Sequence, residues 1–164
     1  MAETLRVPED ADKETIYREI IPQIKSIIES EDNLVANLAN ITAVLRQSFD
    51  HFWTGFYLRD GTSLVLGPFQ GDLACTRIPV EPVARGVCGA AAASQKTLIV
   101  PDVDAFPGHI ACSSASKSEI VVPLVANGVT ELVLDIDSAY LDTFDAIDQQ
   151  YLEEIVDTIC ERHF

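Results

Sequence analysis

Two dipeptides constrain the fold of this chain more than any other feature, because each is a typical two-residue hairpin turn. Asp60-Gly61 and Asn127-Gly128 each lie between two segments rich in β-branched, aromatic or other apolar residues. The flanking segments are residues 52–58 and 63–66 for the first turn, and residues 120–125 and 131–136 for the second. Hairpins join antiparallel strands, so we expect an antiparallel sheet rather than a doubly wound parallel one.

The remaining apolar segments predict four helices and two further strands. The helices are expected to begin near Asp12, Asp32 or Asn33, Gly86 and Thr143, and the strands to cover residues 74–80 and 97–100. Pro22 is expected to weaken or bend the first helix. An antiparallel sheet flanked by helices makes an α+β domain. We expect this domain to span residues 11–164, after a flexible N-terminal arm of residues 1–10.

The formal net charge of −15 argues against two classes of partner. Nucleic-acid binding and docking on an anionic membrane both need clustered Lys and Arg. The acidic N-terminus has no apolar segment typical of a signal peptide, and the apolar run of residues 120–126 is too short to span a bilayer. We therefore expect a cytoplasmic protein, in which cysteines are buried apolar side chains, metal ligands or working thiols.

Cys112 is the best candidate for an attacking thiol among the four cysteines. It lies within residues 101–117, which lack a clean periodicity, with His109 three positions before it and Lys117 five positions after it. Nearby cations and hydrogen-bond donors stabilise a thiolate and so make a cysteine nucleophilic. The alternative is a passive cysteine in a loop.

The other three cysteines have simpler interpretations beside a redox one. Cys160 comes directly after Ile159 and shares a face of the last helix with Val156, so it is expected to be a buried apolar side chain. Cys88 opens the helix of residues 86–94, where backbone N–H groups and the helix dipole could lower its pKa. Cys75 lies in a predicted strand. Either of these two is a core thiol or a resolving thiol that forms a disulfide with Cys112.

A zinc site is the competing interpretation of the same residues. Cys75, Cys88, His109 and Cys112 make a possible Cys₃His set. Structural zinc sites favour two close pairs of ligands, whereas twelve residues separate Cys75 from Cys88. No bound metal is therefore expected.

Three acids and two aromatic residues complete the candidate site. Asp135 and Asp137 alternate around Ile136 near a strand end, so they share one face of the sheet, and Glu119 precedes another strand. Such carboxyl groups either are solvated hairpin-end charges, bind an ammonium, or stay protonated to donate a proton. Trp53 and Tyr57 lie on one face of the first strand and either join the core or wall a small pocket.

These residues resemble the free methionine-(R)-sulfoxide reductases, which are single GAF domains. The resemblance includes Trp-Thr-Gly-Phe-Tyr at 53–57, Phe-Pro-Gly-His-Ile-Ala-Cys at 106–112 and Leu-Asp-Ile-Asp-Ser at 134–138. Further matching segments are residues 64–71, 74–79, 85–89 and 116–124. Several segments in the family's order are more specific than any single motif.

The resemblance implies a GAF fold, usually a homodimer, and reduction of the free amino acid rather than of sulfoxide within proteins. It places Cys112 at the position of the attacking cysteine, and Cys75 and Cys88 at the positions of the recycling cysteines. It also implies that Glu119, Asp135 and Asp137 are pocket carboxylates and that Trp53 and Tyr57 are the aromatic wall. No bound cofactor is expected, and an external dithiol such as thioredoxin is expected to reduce the disulfide.

Two positions differ from the family pattern. The connection between Cys75 and Cys88 is about three residues longer than usual and contains Pro82, which favours Cys88 as the resolving partner. Ser113 follows the attacking cysteine where Asp is common, so the tuning of the thiol is expected to differ.

Two other function classes remain open on the sequence alone. One is a non-catalytic GAF domain that senses a small molecule, since one fold carries many functions. The other is a zinc-stabilised interaction domain.

Overall fold

The computed structural model describes residues 4–108 and 114–164 of the chain. The helices of this part are α1 (Lys13–Ser30), α2 (Leu34–Ser48), α3 (Gly86–Ser94) and α4 (Ala146–His163), with one 3₁₀ turn at Val103–Ala105. The strands are β1 (Trp53–Asp60), β2 (Ser63–Gln70), β3 (Arg77–Pro79), β4 (Leu98–Val100), β5 (Ser118–Ala126) and β6 (Val129–Ser138). Both predicted hairpins are confirmed, β1–β2 and β5–β6.

Side-chain caps decide where the helices begin. Asp12 accepts a hydrogen bond from the Thr15 amide at 2.8 Å, and Asn33 accepts one from the Ala36 amide at 3.0 Å. The predicted cap of the last helix near Thr143 is wrong by two residues. Asp145 is the cap, because it forms a reciprocal capping box with Asp148.

Two further predictions concern local structure, and one of them needs correction. Helix α1 runs through Pro22 without a break over its 18 residues, so Pro22 does not end the helix, and the expected bend or weakening stays a prediction. The predicted strand of residues 74–80 is reduced to β3, which covers Arg77–Pro79. The preceding residues run as a loop whose carbonyl groups at Asp72 and Cys75 accept hydrogen bonds from side chains of β1.

The described strands form one antiparallel sheet in the order β3-β2-β1-β6-β5-β4. Helices α1, α2 and α4 pack on one face around Phe56, and α3 packs on the other face beside Trp53 and Tyr57. Gly89 of α3 lies so close to the Pro79 carbonyl that a Cβ there would come within 2.7 Å of the oxygen. The sheet is therefore covered on both faces, which confirms the α+β fold class.

The segment before α1 contacts that helix. The Arg6 amide donates to the Gln23 side chain at 2.9 Å, while Leu5 and Val7 pack against the larger core. Contacts do not measure motion, so flexibility of residues 1–10 stays a prediction. Among residues 4–108 and 114–164, no helix is long and apolar enough to cross a membrane.

Candidate active site

The two-residue period of the strands brings the predicted acids and aromatic residues to one face of the sheet. β6 lies between β1 and β5, and Asp137 is paired with Trp53 on one side and Glu119 on the other. Asp135, two residues earlier in β6, lies opposite Gly55. The face is the one that α3 covers, so these side chains lie between sheet and helix.

A cavity with an empty volume of about 540 Å³, part of it open to solvent, lies between this face and α3. Its described lining consists of Phe52, Trp53, Tyr57, Leu73, Ala74, Ile78, Gly86, Val87, Cys88, Ser116, Glu119, Asp135 and Asp137. All five acids and aromatic residues predicted from the sequence are in this set, and so is Cys88. A cavity with apolar walls and a few convergent polar groups is typical of a small-molecule site.

The three carboxyl groups hold their protons more tightly than exposed acids do. Burial is the main cause of the raised pKa of Glu119 and of Asp135, and the neighbouring carboxylates raise it further. Burial raises the pKa of Asp137 to about 6, although the Ser116 hydroxyl donates to its Oδ1 at 2.5 Å and opposes the shift. Glu119 and Asp135 therefore keep their protons to higher pH than exposed acids do, whereas Asp137 ionises near pH 6 and gives the cavity a negative charge.

One acceptor in this cluster has no described partner. Asp135 Oδ1 is buried and accepts no hydrogen bond from residues 4–108 or 114–164. A buried acceptor without a donor costs about 1–3 kcal/mol. A ligand that donates to this oxygen would recover that free energy.

The aromatic wall also holds the loop that carries Cys75. Trp53 Nε1 donates to the Asp72 carbonyl at 3.1 Å, and the Tyr57 hydroxyl donates to the Cys75 carbonyl at 3.0 Å. The Trp53 and Tyr57 ring centroids are 5.9 Å apart. Burial raises the pKa of Tyr57, so its hydroxyl stays protonated and keeps this hydrogen bond.

The cysteines occupy different environments. Cys75 is disulfide-bonded, whereas Cys88 is a buried free thiol and Cys160 a partly buried one. The predicted attacking residue Cys112, with His109 and Ser113, lies outside the described residues. Cys160 is less buried than expected, since only part of its surface packs on the larger core.

The expected lowering of the Cys88 pKa is wrong. Burial raises the pKa of this thiol well above its usual value, and the nearby charges of Asp135 and Glu119 raise it further. Its Sγ lies 3.9 Å from Glu119 Oε1. The position of Cys88 in the first turn of α3 does not compensate for these effects.

Gly55 and Ser116 belong to the site although neither was predicted as a site residue. Ser116 follows the undescribed segment and hydrogen-bonds Asp137. Gly55 lies in β1 beneath the Trp53 ring, where an added Cβ would overlap Trp53 and come within 2.5 Å of Phe69 Cβ. The signal for Gly55 was a glycine inside a strand pattern, which indicates a close approach.

Replacing Gly55 by Ala is expected to displace the Trp53 ring and to destabilise the fold by about 1–3 kcal/mol, because the surrounding rings cannot absorb a methyl group. Urea unfolding and the quenching of Trp53 fluorescence by acrylamide measure the two effects. Gly67→Ala is the matched control for Trp53 accessibility, since its Cβ would meet Leu58 Cδ1 and lie 3.0 Å from the Phe56 carbonyl oxygen, and neither residue lines the cavity. Unchanged Trp53 accessibility in Gly55→Ala would contradict this packing.

Comparison with known proteins identifies the family. Residues 29–160 match the model of the GAF domain family. The chain is 44% identical over 145 residues to the free methionine-R-sulfoxide reductase of Escherichia coli, covering 88% of this chain and 86% of the relative. It is 54% identical over 157 residues to GAF domain-containing protein A of Dictyostelium discoideum, covering 95% and 97%.

Solved structures give the same result. The X-ray structure of the free methionine-R-sulfoxide reductase from Neisseria meningitidis, in complex with its substrate, superimposes with a TM-score of 0.92. The two chains are 52% identical, over 97% of this chain and 94% of that one.

Proposed function

This chain belongs to the GAF-domain family of free methionine-R-sulfoxide reductases, and we propose that it reduces free L-methionine-(R)-sulfoxide to L-methionine. The observation that carries the proposal is the acid-lined cavity walled by Trp53 and Tyr57. It lies in a chain that is 52% identical to a reductase solved with its substrate.

The cavity suits the free amino acid. Glu119, Asp135 and Asp137 line it. Asp137, whose pKa is about 6, is mostly ionised at neutral pH, and its negative charge favours an ammonium, a group that a methionine residue within a protein lacks. The aromatic rings of Trp53 and Tyr57 suit the apolar methyl and methylene groups of the substrate. The ammonium would also supply the missing donor to Asp135 Oδ1.

The reductive step uses Cys112 as the nucleophile. Its thiolate attacks the sulfoxide sulfur, and a protonated carboxyl group of the cavity gives its proton to the oxygen. The oxygen then passes to the cysteine, so that methionine leaves and Cys112 becomes a sulfenic acid. The raised pKa of Glu119 and of Asp135 supports this role, since such acids carry a proton near neutral pH.

Recycling follows by disulfide formation. A second thiol attacks the sulfenic acid and releases water, and an external dithiol of the thioredoxin type then reduces the disulfide. We assign the second thiol to Cys75, because Cys75 is disulfide-bonded and Cys88 is a buried free thiol with a raised pKa. This differs from the sequence-based preference for Cys88.

Cys75→Ser is expected to stop at the sulfenic acid after about one methionine per subunit when no reductant is present. Cys88→Ser is the matched control and should still lose two thiols per methionine formed. Thiol titration after denaturation and trapping with dimedone distinguish the two products. Dimedone labelling of Cys88→Ser but not of Cys75→Ser would reassign the resolving thiol to Cys88.

The activity itself is tested with resolved epimers. Purified protein with thioredoxin, thioredoxin reductase and NADPH is expected to consume NADPH on addition of free L-methionine-(R)-sulfoxide. The S epimer and a peptide-bound sulfoxide should give little turnover. Failure of the reduced protein with all three substrates would overturn the proposed function and favour a non-catalytic sensor.

The setting of the enzyme is part of the same proposal. We place it in the cytoplasm, where thioredoxin-type reductants are available, and as a homodimer. The resemblance to the family implies the homodimer, and the need for a thioredoxin-type reductant supports the cytoplasm. Size-exclusion chromatography with light scattering tests the homodimer.

A further inference from the structure

One group in the cavity has no part in the proposed cycle. Cys88 is 3% exposed, and its Sγ lies with carboxylate oxygens of Glu119 and Asp135, all within 4.8 Å of one another. The three residues come from α3, β5 and β6, so the fold holds them together without any substrate. Glu119 and Asp135 are each 6% exposed.

A second observation at the same place points to a ligand. Asp135 Oδ1 is buried and has no hydrogen-bond partner among the described residues. An ammonium group of a substrate can satisfy that oxygen, but it cannot bond to sulfur in the way a metal does. A ligand that uses both the thiol and the two carboxyl groups must accept electron pairs from S and O atoms together.

We propose that Cys88, Glu119 and Asp135 form a binding site for one thiophilic divalent cation of the Zn²⁺ or Cd²⁺ type. One thiolate with two carboxylates is a donor set for such ions, whereas Mg²⁺ and Ca²⁺ take oxygen ligands. Three protein ligands leave a fourth position open, as in other sites with incomplete protein coordination.

The donor atoms lie within 4.8 Å of one another and must approach more closely to bind one ion, and the Cys88–Glu119 pair is already near the required separation. Zn–S and Zn–O bonds of about 2.3 and 2.1 Å at a tetrahedral angle separate the sulfur and oxygen by about 3.6 Å. The Cys88 Sγ to Glu119 Oε1 distance is 3.9 Å. The cation would replace the thiol proton and offset the negative charge of both carboxylates.

The ion acts as a competitor and not as a cofactor. It occupies carboxylates that the ammonium of the substrate needs, so the two ligands exclude each other; this consequence rests on the proposed function. The site also differs from the possible Cys₃His zinc site considered from the sequence. The two share only Cys88.

The test is titration of the full chain with ZnCl₂ alone. The background variant is Cys75→Ser/Cys112→Ser, in which the redox thiols cannot bind metal. Isothermal titration calorimetry is expected to show one Zn²⁺ per subunit, and Co²⁺ is expected to give the near-ultraviolet absorption of a cobalt–thiolate bond. Free methionine sulfoxide should weaken the apparent Zn²⁺ affinity.

Ligand variants make the test decisive. In the same background Cys88→Ser is expected to abolish the cobalt–thiolate absorption and to weaken Zn²⁺ binding by at least about 100-fold, since it removes a ligand rather than an outer-shell partner. Cys160→Ser is the matched control and should change neither. Glu119→Gln should weaken binding by at least about 10-fold, and it covers the case in which Cys88→Ser does not fold.

The outcomes separate this proposal from the proposed function. Absence of Zn²⁺ binding, or binding unchanged by both Cys88→Ser and Glu119→Gln, overturns the metal site even if the enzyme turns over normally. Stoichiometric binding that depends on Cys88 supports the site even if the epimer assay fails, because the titration contains no substrate turnover.

Discussion

Cys112→Ser is expected to lose at least about 10³-fold of turnover with free L-methionine-(R)-sulfoxide, because a hydroxyl cannot replace the thiolate that takes up the sulfoxide oxygen. The measurement is the initial rate of methionine formation with dithiothreitol as reductant. Cys160→Ser is the control of identical chemistry. It should keep the wild-type rate, since Cys160 lies on α4 and its Sγ faces the Val125 carbonyl at 4.0 Å.

Substrate binding gives Cys112→Ser a second readout. Trp53 is the single tryptophan of the chain and lines the cavity, so its fluorescence reports occupancy. The variant is expected to keep a saturable fluorescence change on addition of the R epimer. Retained turnover in Cys112→Ser would contradict the assigned nucleophile. A full ligand response with no turnover in the wild-type protein would favour a sensor.

The two hairpins, and the strand faces on which the site residues lie, were predictable because they depend on local sequence patterns. Asp60-Gly61 and Asn127-Gly128 specify hairpins whatever else the chain does. Alternation along each strand then places Trp53 and Tyr57 on one face, as it does Asp135 and Asp137. The two-residue period thus explains why these four residues could be paired on strand faces from the sequence, whereas their joint role in a pocket, with Glu119, was what the resemblance to the family implied.

The register of the sheet was not predictable from the same patterns. Gly55 lies opposite Asp135, and the Trp53 ring lies over the space that the missing side chain leaves. The Tyr57 to Cys75 hydrogen bond joins β1 to the loop before β3. Both depend on which strands are neighbours and by how many residues they are offset.

Cys88 shows why a local argument gave the wrong direction. A helix N-terminus stabilises a nearby negative charge by about 0.3–1 kcal/mol. Full burial can shift a pKa by about 3–5 units, which corresponds to several kcal/mol, and adjacent carboxylates act in the same direction. The sequence shows the helix but not the depth of burial. Only the helix N-terminus, which has the smaller effect on the pKa, could therefore be predicted.

Asp135→Asn is expected to stabilise the folded protein while lowering kcat/KM by at least about 100-fold, the lower range for a group that moves a proton. Burial and the Asp137 charge raise the pKa of Asp135, so its ionised form destabilises the native state near neutral pH. A neutral amide of similar shape removes that cost. We expect an increase of about 1 kcal/mol or more, or about 3 °C in Tm for a domain of this size.

The stabilisation by Asp135→Asn is expected to depend on pH, and the direction of that dependence follows from the raised pKa of Asp135. An acid whose pKa is higher in the folded than in the unfolded state favours folding when protonated, and that contribution is lost as pH rises through the folded value. For Asp137 the loss occurs between about 3.8 and about 6. Asp135 is also raised above its usual pKa, so the stabilisation by Asp135→Asn should be larger at pH 8 than at pH 5, as measured by urea unfolding.

Asp148→Asn is the same chemical change at a buried acid that has hydrogen-bond and ion-pair partners. It is expected to destabilise the folded protein, whereas Asp135→Asn stabilises it. Asp148 accepts a hydrogen bond from the Tyr17 hydroxyl at 2.9 Å, forms an ion pair with Lys13 and completes the capping box of α4. Its replacement leaves Lys13 without its buried partner and is expected to cost about 3 kcal/mol. Destabilisation of both variants at pH 8 would contradict the repulsion between the cavity acids. Opposite signs would show that the cavity keeps its acids buried at the expense of stability, as a site that binds a substrate ammonium and donates a proton requires.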